Sequence, residues 1–158
     1  DEIWNYQQIE LGFNYRMTDM QAALGLSQLT RLDDFVGKRH GIASVYDRAF
    51  DELPVIAPWQ LPGTHSSYHL YPVCIGAAHS GKSQHEVYEA LRSSGVGANL
   101  HYIPVHRHPF YERFGFKSGD YPAAEQFHRE AISLPMYPTL GDEQQAWVIS
   151  SLREALGA

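Results

Sequence analysis

Asn14 and Arg16 lie in the stretch Gly12-Phe13-Asn14-Tyr15-Arg16-Met17-Thr18-Asp19, just ahead of a strong helix signal. Thr18 has the side chain of an N-cap. Gln21 follows at the spacing at which a capping box returns a bond to the cap's own N–H. A helix start leaves unpaired N–H groups and a partial positive charge, so it can hold an anion. The Asn14 amide and the Arg16 guanidinium add a neutral and a charged donor beside it. The same residues also suffice to cap and solvate a helix, and both readings stay open on these grounds.

A second group is histidine-based. His101 and Tyr102 close a predicted strand, and His106 and His108 follow across Pro104. Loops that leave strands are where functional side chains collect, and imidazole can donate, accept or shuttle a proton near neutral pH. A metal site is not expected. His106-Arg107-His108 puts a cation between the would-be ligands, and no Cys, Asp or Glu cluster at ligand spacing accompanies them. His69, between Tyr68 and Leu70, reads as a strand residue, and His40, His79, His85 and His128 read as surface residues.

Other templates fail. There is no Gly-x-Ser-x-Gly elbow, Walker loop or His-Glu-x-x-His. Gly95-Val96-Gly97 lacks the rest of a dinucleotide fingerprint and reads as a helix stop followed by a strand start. Cys74 sits in an apolar stretch and reads as a buried thiol.

These residues need elements to position them. Ala22, Leu26, Leu29, Leu32 and Val36 recur at helical spacing, predicting a helix from Thr18 to about residue 52, bent near Gly37 or Gly41. Residues 3–11 read as a strand or an extended lead-in. Pro54, Pro58 and Pro62 enforce an extended connector. Ser66 to Ile75 reads as a strand whose Pro72 suits an edge. Ser83 with Glu86 opens a helix through Leu91 that Gly95 stops. Val96 to Ile103 is the next strand, and Pro109 to Phe114 forms one or two helical turns. A helix starts at Asp120-Tyr121-Pro122, Ile132 to Met136 is short and extended, and Gly141 introduces a last helix. This order predicts an α/β domain of the α+β-like kind. Its sheet is short, mixed or antiparallel, with flanking helices and a long N-terminal helix.

The 158 residues suffice for one domain with a substantial core, and 44% hydrophobic content with 13% aromatics excludes a disordered segment. A net charge of −6 with scattered basic residues argues against nucleic acid as a partner. No apolar run is long enough to span a bilayer, so no membrane partner is expected. One cysteine fits a reducing compartment, and the expectation is a cytoplasmic protein. The chain opens on Asp1, which suggests an excerpt of something longer.

Gly12 to Asp19, followed by Gln21-Ala22-Ala23-Leu24-Gly25-Leu26-Ser27-Gln28-Leu29, resembles the helix-start signature of the DegT/StrS sugar aminotransferases. The resemblance continues through Tyr68-His69-Leu70-Tyr71-Pro72, His101-Tyr102-Ile103-Pro104-Val105-His106 and Ile132-Ser133-Leu134-Pro135-Met136-Tyr137-Pro138. It covers nearly the whole chain in the family's order. The stretches 101–106 and 121–138 look closest to the branch that makes the 4-amino sugar precursor of pseudaminic acid.

That family comprises fold type I enzymes that use pyridoxal 5'-phosphate to aminate nucleotide-linked keto sugars. The resemblance implies that residues 1–158 are the small C-terminal domain with the long helix leading into it. The large cofactor-binding domain, with the lysine that bonds the cofactor, lies outside this chain. Lys38, Lys82 and Lys117 are the only lysines, and none has that lysine's setting, so this chain is expected to be inactive alone, with no catalytic residue.

The resemblance further implies a homodimer with shared active sites. Asn14 would reach the cofactor phosphate of the partner subunit, and Arg16 that phosphate or the substrate's diphosphate. His101, Tyr102 and His106 would face the sugar-nucleotide pocket and orient substrate. The amino donor would be glutamate and the acceptor a 4-keto-6-deoxy hexose on a nucleotide, for surface polysaccharide or glycan synthesis. Two other classes remain: an inert dimerisation module, and the small domain of a dehydratase relative in which histidine replaces the lysine.

Overall fold

The computed structural model describes Phe13 and residues 15–158, so the expected lead-in over 3–11 and the placement of Asn14 lie outside the described residues. The chain forms two compact units, residues 1–33 and 34–158.

In the first unit, helix α1 spans Asp19–Leu29. Its capping box forms as the spacing requires. The Gln21 N–H donates to Thr18 Oγ1 at 3.3 Å, and the Thr18 N–H donates to Gln21 Oε1 at 2.9 Å. The helix has no buried residue, and Met20, Leu24, Leu26 and Leu29 are all exposed. The helix forms where apolar spacing predicts it, but among the described residues its apolar side chains are not buried.

The long helix breaks at Thr30–Arg31, not at a glycine. Thr30 Oγ1 donates to the Ser27 carbonyl at 2.8 Å and the Arg31 N–H to the Gln28 carbonyl at 3.0 Å, which tightens the last turn of α1. Helix α2 then runs Leu32–Phe50, straight through Gly37 and Gly41.

The second unit is built on α2 and a three-stranded sheet. Ile42, Tyr46 and Phe50, four residues apart, form the buried stripe of α2. Strand β1 (Tyr71–Cys74) turns Tyr71 and Val73 into the core. Helices α3 (Ala77–Ser80) and α4 (Gln84–Ser93) follow. The expected Ser83–Glu86 box caps α4, and Gly95 takes φ +78° after it. Strand β2 is only Asn99–Leu100. A 3₁₀ turn (Val105–Arg107), helix α5 (Pro109–Glu112) and helix α6 (Pro122–Glu130) lead directly into strand β3 (Ala131–Leu134). Helix α7 (Asp142–Leu156) closes the unit, burying Val148, Leu152 and Leu156.

The sheet order is β1-β3-β2 and both pairings are antiparallel, so of the two expected sheet types the antiparallel one forms. Tyr71 pairs with Leu134, and Asn99 with Ser133. Pro72, which has no N–H to give, sits on an edge strand as its chemistry demands.

Two strands are shorter than expected. Before β1, Tyr68 adopts φ +45°, its N–H bound to Ser66 Oγ at 3.0 Å and its ring edge-on to His40, which ends extended pairing there. Before β2, the Ala98 N–H folds back onto the Val96 carbonyl at 2.9 Å. No helix among the described residues is long and apolar enough to cross a membrane.

Buried polar groups tie the layers together. Tyr46 Oη donates to the Pro135 carbonyl at 3.0 Å, and Gln145 Nε2 donates to the Ile42 carbonyl at 2.8 Å, linking α7 to α2.

Gly37 and Gly41 have helical backbone, and a Cβ built at either meets nothing within 4 Å. Gly37→Ala and Gly41→Ala should therefore each stabilise the 158-residue chain by up to about 1 kcal/mol. Urea unfolding checks this: a higher midpoint is expected for each variant. A lower midpoint for both would mean that the helix needs these glycines.

Candidate functional site

The expected site residues fall into the two units. In the first, Arg16 is exposed, and its guanidinium has no ion pair or hydrogen bond among the described residues. It stands two residues before the Thr18 cap. The capping box occupies the Thr18 and Gln21 N–H groups, which leaves the first-turn N–H groups of Asp19 and Met20 pointing out of the helix start. A guanidinium beside free helix N–H groups is a donor set that suits a phosphate, although the Asp19 carboxylate in the same turn opposes an anion.

In the second unit, residues 101–106 leave β2 and cross Pro104 into the 3₁₀ turn. His101 is half-buried. Its Nε2 lies 3.0 Å from the hydroxyl of Ser133 in the middle of β3, and its ring packs on Phe127 with centroids 5.1 Å apart. Burial, with His128 nearby, lowers its pKa below the ordinary histidine value. Tyr102 is 95% exposed and its hydroxyl has no partner among the described residues. The three residues named for this segment therefore differ in setting: one is half-buried, one is in solvent and one is enclosed.

His106 is the enclosed one, at 8% exposure. Its Nε2 lies 2.9 Å from Glu125 Oε1. Glu125 is itself buried, on the first turns of α6, and takes further bonds from the Gly119 N–H at 2.7 Å and the Ser118 hydroxyl at 3.2 Å. Gly119 adopts φ +93°, a conformation that glycine reaches without strain, and this aims its N–H at the carboxylate. Arg107 Nη1 donates to Ser118 Oγ at 3.0 Å, so the 3₁₀ turn is tied to the same loop. The bonds from His106 and Gly119 hold the Glu125 carboxyl well below the usual carboxylate range, at about 2.

The His106 ring also lines a cavity of about 420 Å³, with Pro104, Val105, Tyr111, Phe116, Tyr121 and Ala124. A separate cleft of about 640 Å³ lies between the end of β3 and α7, lined by Asn99, Ser133, Tyr137, Gln144 and Trp147 among others. His108 is exposed beside the first cavity but does not line it. Among the described residues, no three His, Cys, Asp or Glu side chains gather as a metal site.

Glu125 was not legible as a site residue. An acidic residue near a helix N-terminus has an ordinary use against the dipole, and only the tertiary fold brings it to an imidazole nineteen positions away. His128 also departs from its reading as a surface residue: it is partly buried, and its Nδ1 is enclosed without a partner among the described residues.

The family model described as the DegT/DnrJ/EryC1/StrS aminotransferase family matches residues 1–153, nearly the whole chain. The chain belongs to that family. The Bacillus subtilis spore coat polysaccharide biosynthesis protein SpsC is 37% identical over 154 residues, covering 96% of this chain and 40% of its own length. The Campylobacter jejuni UDP-4-amino-4,6-dideoxy-N-acetyl-beta-L-altrosamine transaminase is 30% identical over 151 residues, covering 95% of this chain and 40% of its own. Among solved structures, the Helicobacter pylori aminotransferase PseC, involved in the biosynthesis of pseudoaminic acid, overlays 99% of this chain and 42% of its own with a TM-score of 0.85 at 28% identity. This DegT-family chain thus spans about 40% of the length of the curated relatives it matches.

The Glu125 carboxylate sets a pH dependence. Its folded pKa is depressed, so the stability it contributes is present above the ordinary carboxylate range and is lost as pH falls from about 4.3 toward about 2. Glu125→Gln should remove this contribution and flatten the fall in stability over that window. Urea midpoints between pH 2 and 6 check it, and a slope equal to that of the wild type would contradict it.

Proposed function

We propose that this chain is the C-terminal part of a pyridoxal 5'-phosphate-dependent aminotransferase. It would transfer an amino group from glutamate to a 4-keto-6-deoxy sugar linked to a nucleotide, in surface polysaccharide or glycan biosynthesis. The observation that carries the reading is the family match over residues 1–153, in which the Asn14–Arg16 stretch and the 101–106 segment occur together and in order. The names of the Campylobacter and Bacillus relatives support a sugar-linked acceptor and a polysaccharide setting.

On this reading residues 1–158 form the small domain and its lead-in helix, and a larger domain supplies the lysine that bonds the cofactor. The enzyme works as a homodimer. Asn14 and Arg16 donate to the cofactor phosphate, Asn14 from across the dimer axis; the exposed guanidinium and the free first-turn N–H groups fit that task. When bound, pyridoxal phosphate supplies the electron sink for amino-group transfer. The chain's own residues bind and orient. Tyr102, fully accessible, offers a phenol to sugar hydroxyls; His101, steadied by Ser133, offers a ring nitrogen; His106 lines an apolar cavity and has a second ring nitrogen to offer.

The experiment uses the enzyme that carries this chain, with a UDP-linked 4-keto-6-deoxy hexosamine as acceptor and glutamate as donor. Asn14→Ala and Arg16→Ala should each raise the cofactor dissociation constant about tenfold or more, about 1.4 kcal/mol, with little change in urea midpoint. Dialysis followed by cofactor titration reads this. Unchanged cofactor retention in both variants would remove the phosphate role.

A further inference from the structure

We propose that Glu125 is the positioning residue of the candidate site, acting on substrate through His106. An ionised carboxylate can only accept hydrogen bonds. With its pKa held far below neutrality, Glu125 at 2.9 Å therefore requires a proton on His106 Nε2. In the neutral ring, Nδ1 is then the bare nitrogen, and no hydrogen bond to it forms among the described residues. In that form His106 presents a lone pair and takes a donor, a sugar hydroxyl or an amide N–H. This inference rests on the reading that His106 contacts substrate.

The geometry separates this role from simple core filling. One carboxylate gathers three donors from two places in the chain: the 3₁₀ turn through His106, and the 117–120 loop through the Gly119 N–H and the Ser118 hydroxyl. Oε1 takes the ring and the backbone together, so the carboxylate is fixed in place and in turn fixes the plane of the imidazole. Tyr121 packs on the other side of that ring, with centroids 4.8 Å apart. The arrangement is the one by which a buried carboxylate sets the tautomer of a working histidine. Arg107, Arg129 and Glu112, with Lys117 and Asp120 of the loop itself, are other charged groups of this neighbourhood. Arg129 stands 4.0 Å from Glu125 Oε2, and Arg107 pairs with Glu112 at 3.5 Å while also bonding Ser118, so none of them replaces the contact to Nε2.

The test reads the tautomer directly, by two-bond ¹H–¹⁵N correlation of the histidine rings in the 158-residue chain above pH 8. Wild type should show neutral His106 with its proton on Nε2 and a bare Nδ1. Glu125→Gln, whose amide oxygen can still accept, should keep that tautomer. Glu125→Ala should give mixed or reversed tautomers; if it fails to fold, Glu125→Gln and Ser118→Ala still carry the comparison. A wild-type proton on Nδ1, or a folded Glu125→Ala variant whose ring keeps the wild-type tautomer unmixed, would overturn the proposal.

In the enzyme, Glu125→Gln and His106→Ala should both raise the KM for the keto-sugar acceptor, about tenfold for His106→Ala, and leave the KM for glutamate unchanged. An unchanged acceptor KM in His106→Ala, with the tautomer as stated, would remove the substrate role of His106 while leaving the orienting role of Glu125 standing.

Discussion

Strand β3 holds the second unit together. All four of its residues are buried and it is paired on both sides, to β1 and to β2. The two outer strands pair with it, and two helices are tied to it or to its end. α4 reaches it through Gln84, whose amide donates to the carbonyls of His128 and Ala131. α2 is secured just beyond its end, where Tyr46 bonds Pro135. Ile132 and Leu134 join the stripes of α2, α4 and α7 in one cluster, and burial of that apolar surface is the main driving force.

The candidate site depends on the same strand. His101 is held by the Ser133 hydroxyl in its middle, and Glu125 stands on α6, which runs into β3 without a loop. Both histidines are therefore attached to the most buried segment of the unit rather than to a loose connection. Tyr102, one residue from His101, is free in solvent. Two fixed imidazoles and one accessible phenol are a workable division of labour for a binding surface, because orientation is only as good as the shell behind it. The Glu125 carboxylate would be costly at this depth if it lacked partners, but three donors meet it.

How much of this was legible depended on how far the deciding contact lies along the chain. Both side-chain capping boxes, Thr18–Gln21 and Ser83–Glu86, and the positive φ at Gly95 depend on near neighbours and could be read directly. The helix break at Thr30 is also local, but a threonine hydroxyl turning back on a carbonyl leaves a weaker trace than a glycine, so the bend was expected elsewhere. Strand lengths were overstated because the backbone folds back at Tyr68 and Val96 through contacts that β propensity does not encode. His106 was legible from its motif, whereas its burial against Glu125 was not. Helical spacing located α1, yet Leu26 and Leu29 remain exposed and the helix buries no residue among the described ones, so the amphipathic face expected there is not seen.

On the proposed reading, a buried shell on β3 presents His106 to a ligand, while the Asn14–Arg16 stretch serves a phosphate. The most direct measurement is a crystal structure of the enzyme that carries this chain, with cofactor and a sugar nucleotide bound. The account predicts Asn14 and Arg16 within hydrogen-bond distance of the cofactor phosphate, and His106 Nδ1 bonded to a substrate hydroxyl or N–H while Nε2 stays on Glu125. A cofactor phosphate held entirely by other residues, with His106 turned away from the sugar, would contradict it.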